Sequence, residues 1–305
     1  MDVIRHYNHS QQLEDNSVPA QTDIENDAAR TFRKPPAPMR AKHDKEDLEV
    51  WLIVRQPTAV FILPEHDNSS STQARSAFTC HSYRRCTLID VTSIRSFSLP
   101  GPAGPLEALL NEGVPEATHA AVVCHPHPLY GGTLHNKVVF HAMKALNTLG
   151  FPVLRFNFRG AGLSAGEHDH GNGEMDDVRA ALDWLNQEFH LPLIFAGFSF
   201  GAAVGLRASC PDSRVQALIA LGIPIAPVDD RSYDHDFLKT CTKPKLFVSG
   251  SRDQFAPRAK LVALVAELPE PKKLVIIEAA DHFFEGRLRE MREEVENWMR
   301  DMVHA

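Results

Sequence analysis

At residues 197–201 the chain reads Gly197-Phe198-Ser199-Phe200-Gly201, and the segments on either side indicate how this stretch folds. The apolar run before it, at 191–196, predicts a short buried strand, and the small-residue run after it predicts a helix. The two glycines remove side chains that would collide in so sharp a turn. A serine at such a strand-to-helix corner is held in a strained conformation that exposes its hydroxyl, which is typical of a nucleophile. A Gly-Ser loop without chemistry is the alternative, and the flanking strand and helix disfavour it.

The composition indicates a chain with a large core and no strong charge bias. Of its 305 residues 43% are hydrophobic, and the net charge is −7, which argues against nucleic acid or an anionic membrane as the main partner. The five cysteines are few, scattered and odd in number, which favours a reducing compartment over a disulfide framework. The first thirty residues carry six acidic side chains and no apolar signal core, so we expect a cytoplasmic location.

Two parts of unlike pattern follow one another along the chain. Residues 1–92 show no sustained periodicity and contain polar clusters and a Pro-rich patch at 35–38. We predict that they form a mostly disordered or irregular N-terminal extension. Within it, 50–54 and 59–63 are candidates for a small hairpin or a docked strand. The second part, 93–305, is predicted to form one domain.

From residue 93 onward, apolar strands alternate with amphipathic helices. The segments 96–99 and 106–110 predict an antiparallel hairpin split by a Pro/Gly-rich turn. The pattern that follows predicts an α/β fold, with a mostly parallel central sheet covered by helices on both faces. Its strands are predicted at 120–124, 153–158, 191–196, 215–221, 245–249 and 273–277, and its helices at 137–149, 174–189, 257–268, 286–302 and directly after Gly201.

Two residues that follow later predicted strands complete a catalytic constellation with Ser199. A serine nucleophile needs a base near its hydroxyl and an acid that orients the base. On a strand-to-helix corner of this kind they follow the serine in the order acid, then histidine, each after a strand. Asp253 and His282 satisfy this order. We predict that Ser199 attacks, His282 transfers the proton and Asp253 stays ionised to orient the imidazole.

Other carboxylates near these positions are candidates for the orienting acid. Asp229 and Asp230 follow the preceding predicted strand and are the alternative acids. Asp281 is adjacent to His282 in sequence and therefore poorly placed to receive its ring, so we interpret it as a turn residue.

The donors for the developing oxyanion are expected to be backbone N–H groups. One belongs to Phe200, the residue after the nucleophile. The other should lie in the loop 125–132, where the prolines at 126 and 128 have no N–H to offer. His127 is the expected donor, with Leu129 and Tyr130 as alternatives.

Several of these segments together resemble the α/β-hydrolase superfamily, and within it a small lidless group near the dienelactone-hydrolase and serine-aminopeptidase-like branches. The resemblance covers about residues 93–303 and implies a carboxylic-ester or related acyl hydrolase without a metal or organic cofactor. It implies nothing about 1–92. One departure is His125-Pro126, where the family commonly has His-Gly, so the second oxyanion donor stays open. The segments that carry the resemblance are 124–132, 156–164, 197–201, 250–253 and 281–284.

The connection between the strand at 215–221 and the strand at 245–249 predicts an open pocket. It is long enough for one short helix near 234–241 and too short for a helical lid. We therefore expect a small or soluble acyl substrate, with no nucleic-acid or membrane partner, and the oligomeric state is left open. Candidate substrate-binding residues are Leu129, Tyr130, Phe255 and Phe283, with Pro224 beside them.

Three other interpretations compete with a serine esterase, and a metal hydrolase is the first. Histidines and carboxylates cluster at 125–135 and 167–170, but without helical metal-ligand spacing, so we interpret 167–170 as solvated loop residues and predict no metal site. An aminopeptidase or amidase that uses the same serine chemistry is the second. A non-catalytic binding module on this fold is the third. Arg159 is expected to tie neighbouring loops together, and Cys124 to pack as a small apolar residue.

Overall fold

A computed structural model describes residues 93–227 and 232–304. The candidate hairpin at 50–54 and 59–63 lies outside these residues, as does the rest of 1–92. Asp229 and Asp230, the alternative acids, also lie outside them. In the described part of the chain, no helix is both long enough and apolar enough to cross a bilayer.

Eight strands form one sheet, and their positions follow the predicted pattern. In chain order they are β1 (Ile94–Gly101), β2 (Gly104–Asn111), β3 (Ala120–Cys124), β4 (Val153–Phe156), β5 (Leu193–Phe198), β6 (Val215–Leu221), β7 (Lys245–Gly250) and β8 (Lys272–Ile277). Their order across the sheet is β1-β2-β4-β3-β5-β6-β7-β8. β1, β2 and β4 pair antiparallel, and every pair from β4 to β8 is parallel. The predicted mostly parallel α/β sheet is confirmed.

Five α-helices cover the sheet on both faces. They are α1 (Lys137–Thr148), α2 (Asn172–Phe189), α3 (Phe200–Ser209), α4 (Arg258–Ala266) and α5 (Leu288–His304). One apolar core lies under α2, α3 and α4, and the other lies under α1 and α5. β3 shows why the central strands read as continuous apolar runs, because Val122 belongs to the first core and Val123 to the second. Successive side chains of a strand point to opposite faces, and here both faces are covered.

Some element boundaries differ from the predicted ones, for reasons in the hydrogen bonding. β5 begins at Leu193 because Pro192 has no N–H to give to the ladder. β4 ends at Phe156. The amide of Asn157 still donates to Glu107 O in β2, but the amide of Phe158 turns away from the sheet and donates to Nε2 of His125. In the connection between β6 and β7, the described residues contain a 3-10 helix at Asp236–Thr240, where a short helix is predicted.

One cysteine pair corrects the sequence-based expectation. Cys210, which caps α3, is joined by a disulfide to Cys241, just after the 3-10 helix. The expectation of a reducing compartment rather than a disulfide framework did not anticipate this pair. Cys124 is a free, buried thiol at the end of β3, as expected, and burial raises its pKa well above the ordinary value.

Candidate active site

The turn between β5 and α3 holds Ser199 in a backbone conformation that few non-glycine residues adopt. Its φ is 54° and its ψ is −120°, and such a conformation costs on the order of 1–3 kcal/mol. Close backbone contacts impose this geometry. A Cβ at Gly197 would meet the backbone of Gly201, and a Cβ at Gly201 would meet the carbonyls of Cys124 and His125. Both glycines are needed because neighbouring backbone lies where a side chain would be.

The three predicted catalytic residues come together at the carboxyl ends of their strands. Nε2 of His282 lies 2.9 Å from Oγ of Ser199. Nδ1 of the same ring lies 3.0 Å from each carboxylate oxygen of Asp253. The imidazole and the carboxylate are 5% and 4% exposed, so little water competes for these hydrogen bonds. Asp253 follows Ser199 by 54 positions in the sequence, and His282 follows Asp253 by 29. The fold thus brings three distant residues into one continuous series of hydrogen bonds.

The Asp253 carboxylate is anchored by donors other than the histidine. Its Oδ1 accepts the amides of Phe255 and Ala256, and its Oδ2 lies 3.2 Å from Oγ of Ser249. These bonds fix the carboxylate in the orientation that the imidazole requires. Asp281, by contrast, accepts the amides of Phe283 and Glu285 within its own turn. The interpretation of Asp281 as a turn residue matches this geometry.

Aromatic rings hold the His282 imidazole from several sides. The ring of Phe255 lies edge-on at 4.5 Å, and those of Phe198 and Phe283 lie at 5.0 and 5.2 Å. Side chains packed on the ring restrict its rotation about χ2. Packing therefore supports the orientation that the carboxylate sets.

The loop after β3 narrows the choice of the second oxyanion donor. The amide of Leu129 donates to Nδ1 of His127, and the amide of Tyr130 donates to the carbonyl of His127. Both alternative donors are therefore engaged within the loop. Phe200 is the first residue of α3, and the first N–H groups of a helix have no acceptor within it. The amides of Phe200 and His127 are the remaining candidates.

His125 has a structural role that the sequence did not indicate. Its Nδ1 lies 2.6 Å from the carbonyl of Pro126, and its Nε2 accepts the amide of Phe158 at 2.9 Å. The ring is fully buried, and this desolvation lowers its pKa to about 4. A neutral imidazole with its proton on Nδ1 fits both contacts. It ties the loop after β3 to the end of β4.

A cleft of about 410 Å³ opens over Ser199, and we call it the serine cleft. Tyr130, Phe255 and Phe283 line it, as predicted, and so does Pro224. Leu129 does not line it and is 67% exposed. Residues that the sequence did not single out also contribute, namely Asn136, Tyr233 and Gln254.

In the loop at 167–170, Glu167, Asp169 and His170 are exposed as expected, and one residue differs. His168 is not solvated: its side chain is 7% exposed, and its Nδ1 lies 2.6 Å from the buried Glu174. The same carboxylate accepts the amides of Asp169 and Gly171. The imidazole packs against the rings of His127 and Phe200, at 4.7 and 5.6 Å. In residues 93–227 and 232–304, no three His, Cys, Asp or Glu side chains are grouped as a metal site requires.

Arg159 ties neighbouring segments together, as expected. Its guanidinium and its backbone amide both bond the carboxylate of Asp177 in α2, which is fully buried. The hydrogen bond to this carboxylate raises the pKa of Arg159. The pair fixes the loop after β4 onto α2.

Comparison with known proteins supports the reading of this geometry. A model of the alpha/beta hydrolase domain family matches residues 126–305. An uncharacterised protein of Rickettsia prowazekii is 34% identical over 206 residues, which are 65% of this chain and 86% of that protein. An alpha-beta serine hydrolase homologue from Coxiella burnetii is 36% identical, with a TM-score of 0.62 over 67% of this chain and 96% of that one. A serine hydrolase without a lid from Xanthomonas campestris is 34% identical, with a TM-score of 0.61 over 69% and 95% of the two chains. The chain therefore belongs to the alpha/beta hydrolase family.

Proposed function

We propose that this protein is a serine hydrolase that cleaves small carboxylic esters through an acyl-enzyme on Ser199. One observation carries the proposal: the hydrogen-bonded chain from Ser199 Oγ through His282 to Asp253, with contacts of 2.9 and 3.0 Å. It links the nucleophile to a base and the base to an orienting acid, as nucleophilic catalysis requires.

The reaction follows from the position of each group. As Ser199 Oγ attacks the ester carbonyl, Nε2 of His282 takes the hydroxyl proton, and Asp253 stabilises the resulting imidazolium. When the tetrahedral intermediate collapses, the C–O bond to the alcohol breaks, and the alcohol leaves with that proton. A water molecule then gives its proton to His282 and attacks the acyl carbon. The proton returns to Ser199 Oγ as the carboxylic acid is released.

The amides of Phe200 and His127 are the proposed donors to the oxyanion. Phe200 directly follows the nucleophile, and His127, in the loop after β3, packs on the Phe200 ring at 4.7 Å. Donors held in place before reaction stabilise charge as it develops, and losing one costs about 10²–10³ in kcat in serine hydrolases. The clamp that His125 makes between Pro126 and Phe158 keeps the His127 segment in position.

The lining of the serine cleft supports an ester rather than an aminopeptidase substrate. Rings of Tyr130, Phe255 and Phe283 offer apolar contact to an acyl chain. Among the described residues that line this cleft none is Asp or Glu, so none would pair with the free amino group of a peptide substrate. The volume of about 410 Å³ suits a small acyl group.

The proposal is tested by kinetics and by active-site labelling. Wild type and Ser199→Ala are assayed with p-nitrophenyl esters of two to eight acyl carbons and with aminoacyl p-nitroanilides, and both are treated with a fluorophosphonate probe. We expect ester turnover and labelling by wild type alone, with the shorter esters preferred. A folded wild-type protein that neither hydrolyses any ester nor takes up the probe would indicate a binding module. Faster turnover of the anilides would indicate an amidase.

A further inference from the structure

A second cavity of about 310 Å³ adjoins the serine cleft, and we call it the arginine cavity. The two share His127, Phe200 and Tyr233 in their linings. The arginine cavity therefore lies next to the serine cleft, and a ligand that occupied both would pass these three side chains. The proposed ester hydrolysis leaves the arginine cavity without an occupant.

One face of α3 forms a wall of the arginine cavity. Phe200, Ala203, Val204 and Arg207 all line it, and their spacing of three, four and seven residues places them on the same side of the helix. The first three are 2–5% exposed, whereas Arg207 at the far end is exposed. The face thus runs from the nucleophile along small or apolar side chains to a guanidinium.

The guanidinium of Arg207 has no hydrogen bond or ion pair with any described residue. Other arginines of the fold are tied down: Arg159 is bonded to Asp177, and Arg214 to Asp183 and Asp212. Asp234 also lines the arginine cavity but makes no ion pair with Arg207, and its carboxylate accepts the amide of Asp236. The positive charge of Arg207 is therefore available to a ligand.

Histidines make up much of the remaining polar wall. His127, His168 and His170 line the arginine cavity. The carboxylate of Glu174 lies 2.6 Å from Nδ1 of His168, so it pairs with that ring and not with Arg207. The polar wall therefore combines three imidazole rings with one guanidinium and the carboxylate of Asp234.

We propose that the arginine cavity binds a carboxylate of the substrate, with Arg207 as the residue that selects for it. This inference rests on the proposed ester hydrolysis. The substrate class is an ester that carries a carboxylate several bonds away from the scissile carbonyl, such as a monoester of a dicarboxylic acid. A guanidinium binds a carboxylate through two parallel N–H···O bonds. Along α3, eight residues separate Ser199 from Arg207, a rise of about 12 Å, and the arginine side chain leans back toward the serine and shortens the gap.

The test compares matched substrates that differ in one charge. Mono-p-nitrophenyl esters of dicarboxylic acids with four to eight carbons are paired with their methyl-capped neutral analogues. In a second series, acetate esters of ω-hydroxy acids, the carboxylate is on the alcohol side of the ester. Their hydrolysis is measured from the acid that is released. In wild type we expect kcat/KM to favour the charged member of at least one series, mainly through KM. In Arg207→Gln the ratio of charged to neutral kcat/KM should fall roughly tenfold or more, and Arg207→Lys should be intermediate.

Arg179→Gln is the matched control, because it removes one positive charge from an exposed site on α2 where Arg179 pairs with Asp176. It should leave the charged-to-neutral ratio unchanged. An unchanged ratio in Arg207→Gln, or an equal fall in Arg179→Gln, would overturn the proposal.

A binding measurement tests the arginine cavity independently of catalysis. Suberate is titrated calorimetrically into Ser199→Ala and into Ser199→Ala/Arg207→Gln. Binding to the first protein and at least tenfold weaker binding to the second supports the arginine cavity, even if wild type hydrolyses no ester. Equal binding to both, or none to either, would refute it. Ester turnover without any charge preference would refute the subsite alone and leave the proposed function standing.

Discussion

Replacing Asp253 with Asn separates the orienting role of this residue from its place in the fold. The amides of Phe255 and Ala256 both donate to Oδ1, and the Oδ1 of asparagine can accept them unchanged. The new NH₂ group then occupies the position of Oδ2, which faces Ser249 Oγ and Nδ1 of His282. An NH₂ group can only donate there. Although Oδ1 is also 3.0 Å from Nδ1, this favours the tautomer in which Nδ1 accepts and the ring proton lies on Nε2. That nitrogen is 2.9 Å from Ser199 Oγ and can no longer take its proton.

The expected loss follows from this change of tautomer and from the loss of the charge that stabilises the imidazolium. In a serine hydrolase the equivalent change lowers kcat by roughly 10⁴, or about 5.4 kcal/mol of transition-state stabilisation. The assay measures kcat and KM for a p-nitrophenyl ester, together with the amplitude of any burst of p-nitrophenol. KM should change little, since the lining of the serine cleft is intact. Thermal unfolding should show the variant folded.

Ser249→Ala is the control, because it removes another contact of the Asp253 carboxylate at 3.2 Å without altering the tautomer. It should lower kcat far less than Asp253→Asn does. If folded Asp253→Asn kept more than a tenth of the wild-type kcat, the carboxylate would not orient the base. The assignment of roles in the Ser199–His282–Asp253 chain would then be wrong.

Three other changes probe the surroundings of the site. Because burial lowers the pKa of His125 from 6.5 to about 4, the unfolded chain binds this proton first as the pH falls. The free energy of unfolding should therefore drop by roughly 3 kcal/mol between pH 6.5 and 4, and urea titrations should show this component missing in His125→Gln. Glu174→Ala removes the acceptor of two backbone amides and the partner of the His168 ring. It should destabilise the fold by about 3 kcal/mol and lower kcat, whereas a wild-type urea midpoint would contradict this. In Gly201→Ala the new Cβ meets the carbonyls of Cys124 and His125, so a loss of about 1–3 kcal/mol and a lower kcat are expected. An unfolding curve and a kcat both equal to wild type would count against that contact.

The parts of this fold that could be predicted were those encoded locally. The strands that contribute to both cores are continuous apolar runs. Gly197 and Gly201 mark the strand-to-helix corner by their spacing around Ser199. Asp253 and His282 could be found because each directly follows a strand, and parallel strands end at one edge of a sheet. Short-range patterns thus located the groups that now form one hydrogen-bonded chain.

Features set by distant contacts could not be predicted in the same way. His168 was interpreted as solvated because its loop is polar, yet Glu174 lies under it and closes the loop around its own carboxylate. Leu129 and Tyr130 are adjacent in one turn of 3-10 helix, and only Tyr130 faces the serine cleft. The pairing of Cys210 with Cys241 depends on where α3 ends in space, which cysteine spacing does not reveal.

Buried polar contacts support the side of the site that carries the proposed oxyanion donors. His125 clamps the loop after β3, the His168–Glu174 pair supports the rings of His127 and Phe200, and the opposite side of the serine cleft is formed by Phe255 and Phe283. A satisfied buried network gives rigidity, and donors must be rigid because they act only on charge that appears in the transition state. The rings of Phe255 and Phe283 lie beside the acyl group and also pack on the His282 imidazole. Changes in the network should therefore lower kcat without altering the preferred acyl length, whereas changes in the two phenylalanines should alter KM and the preferred acyl length as well as kcat.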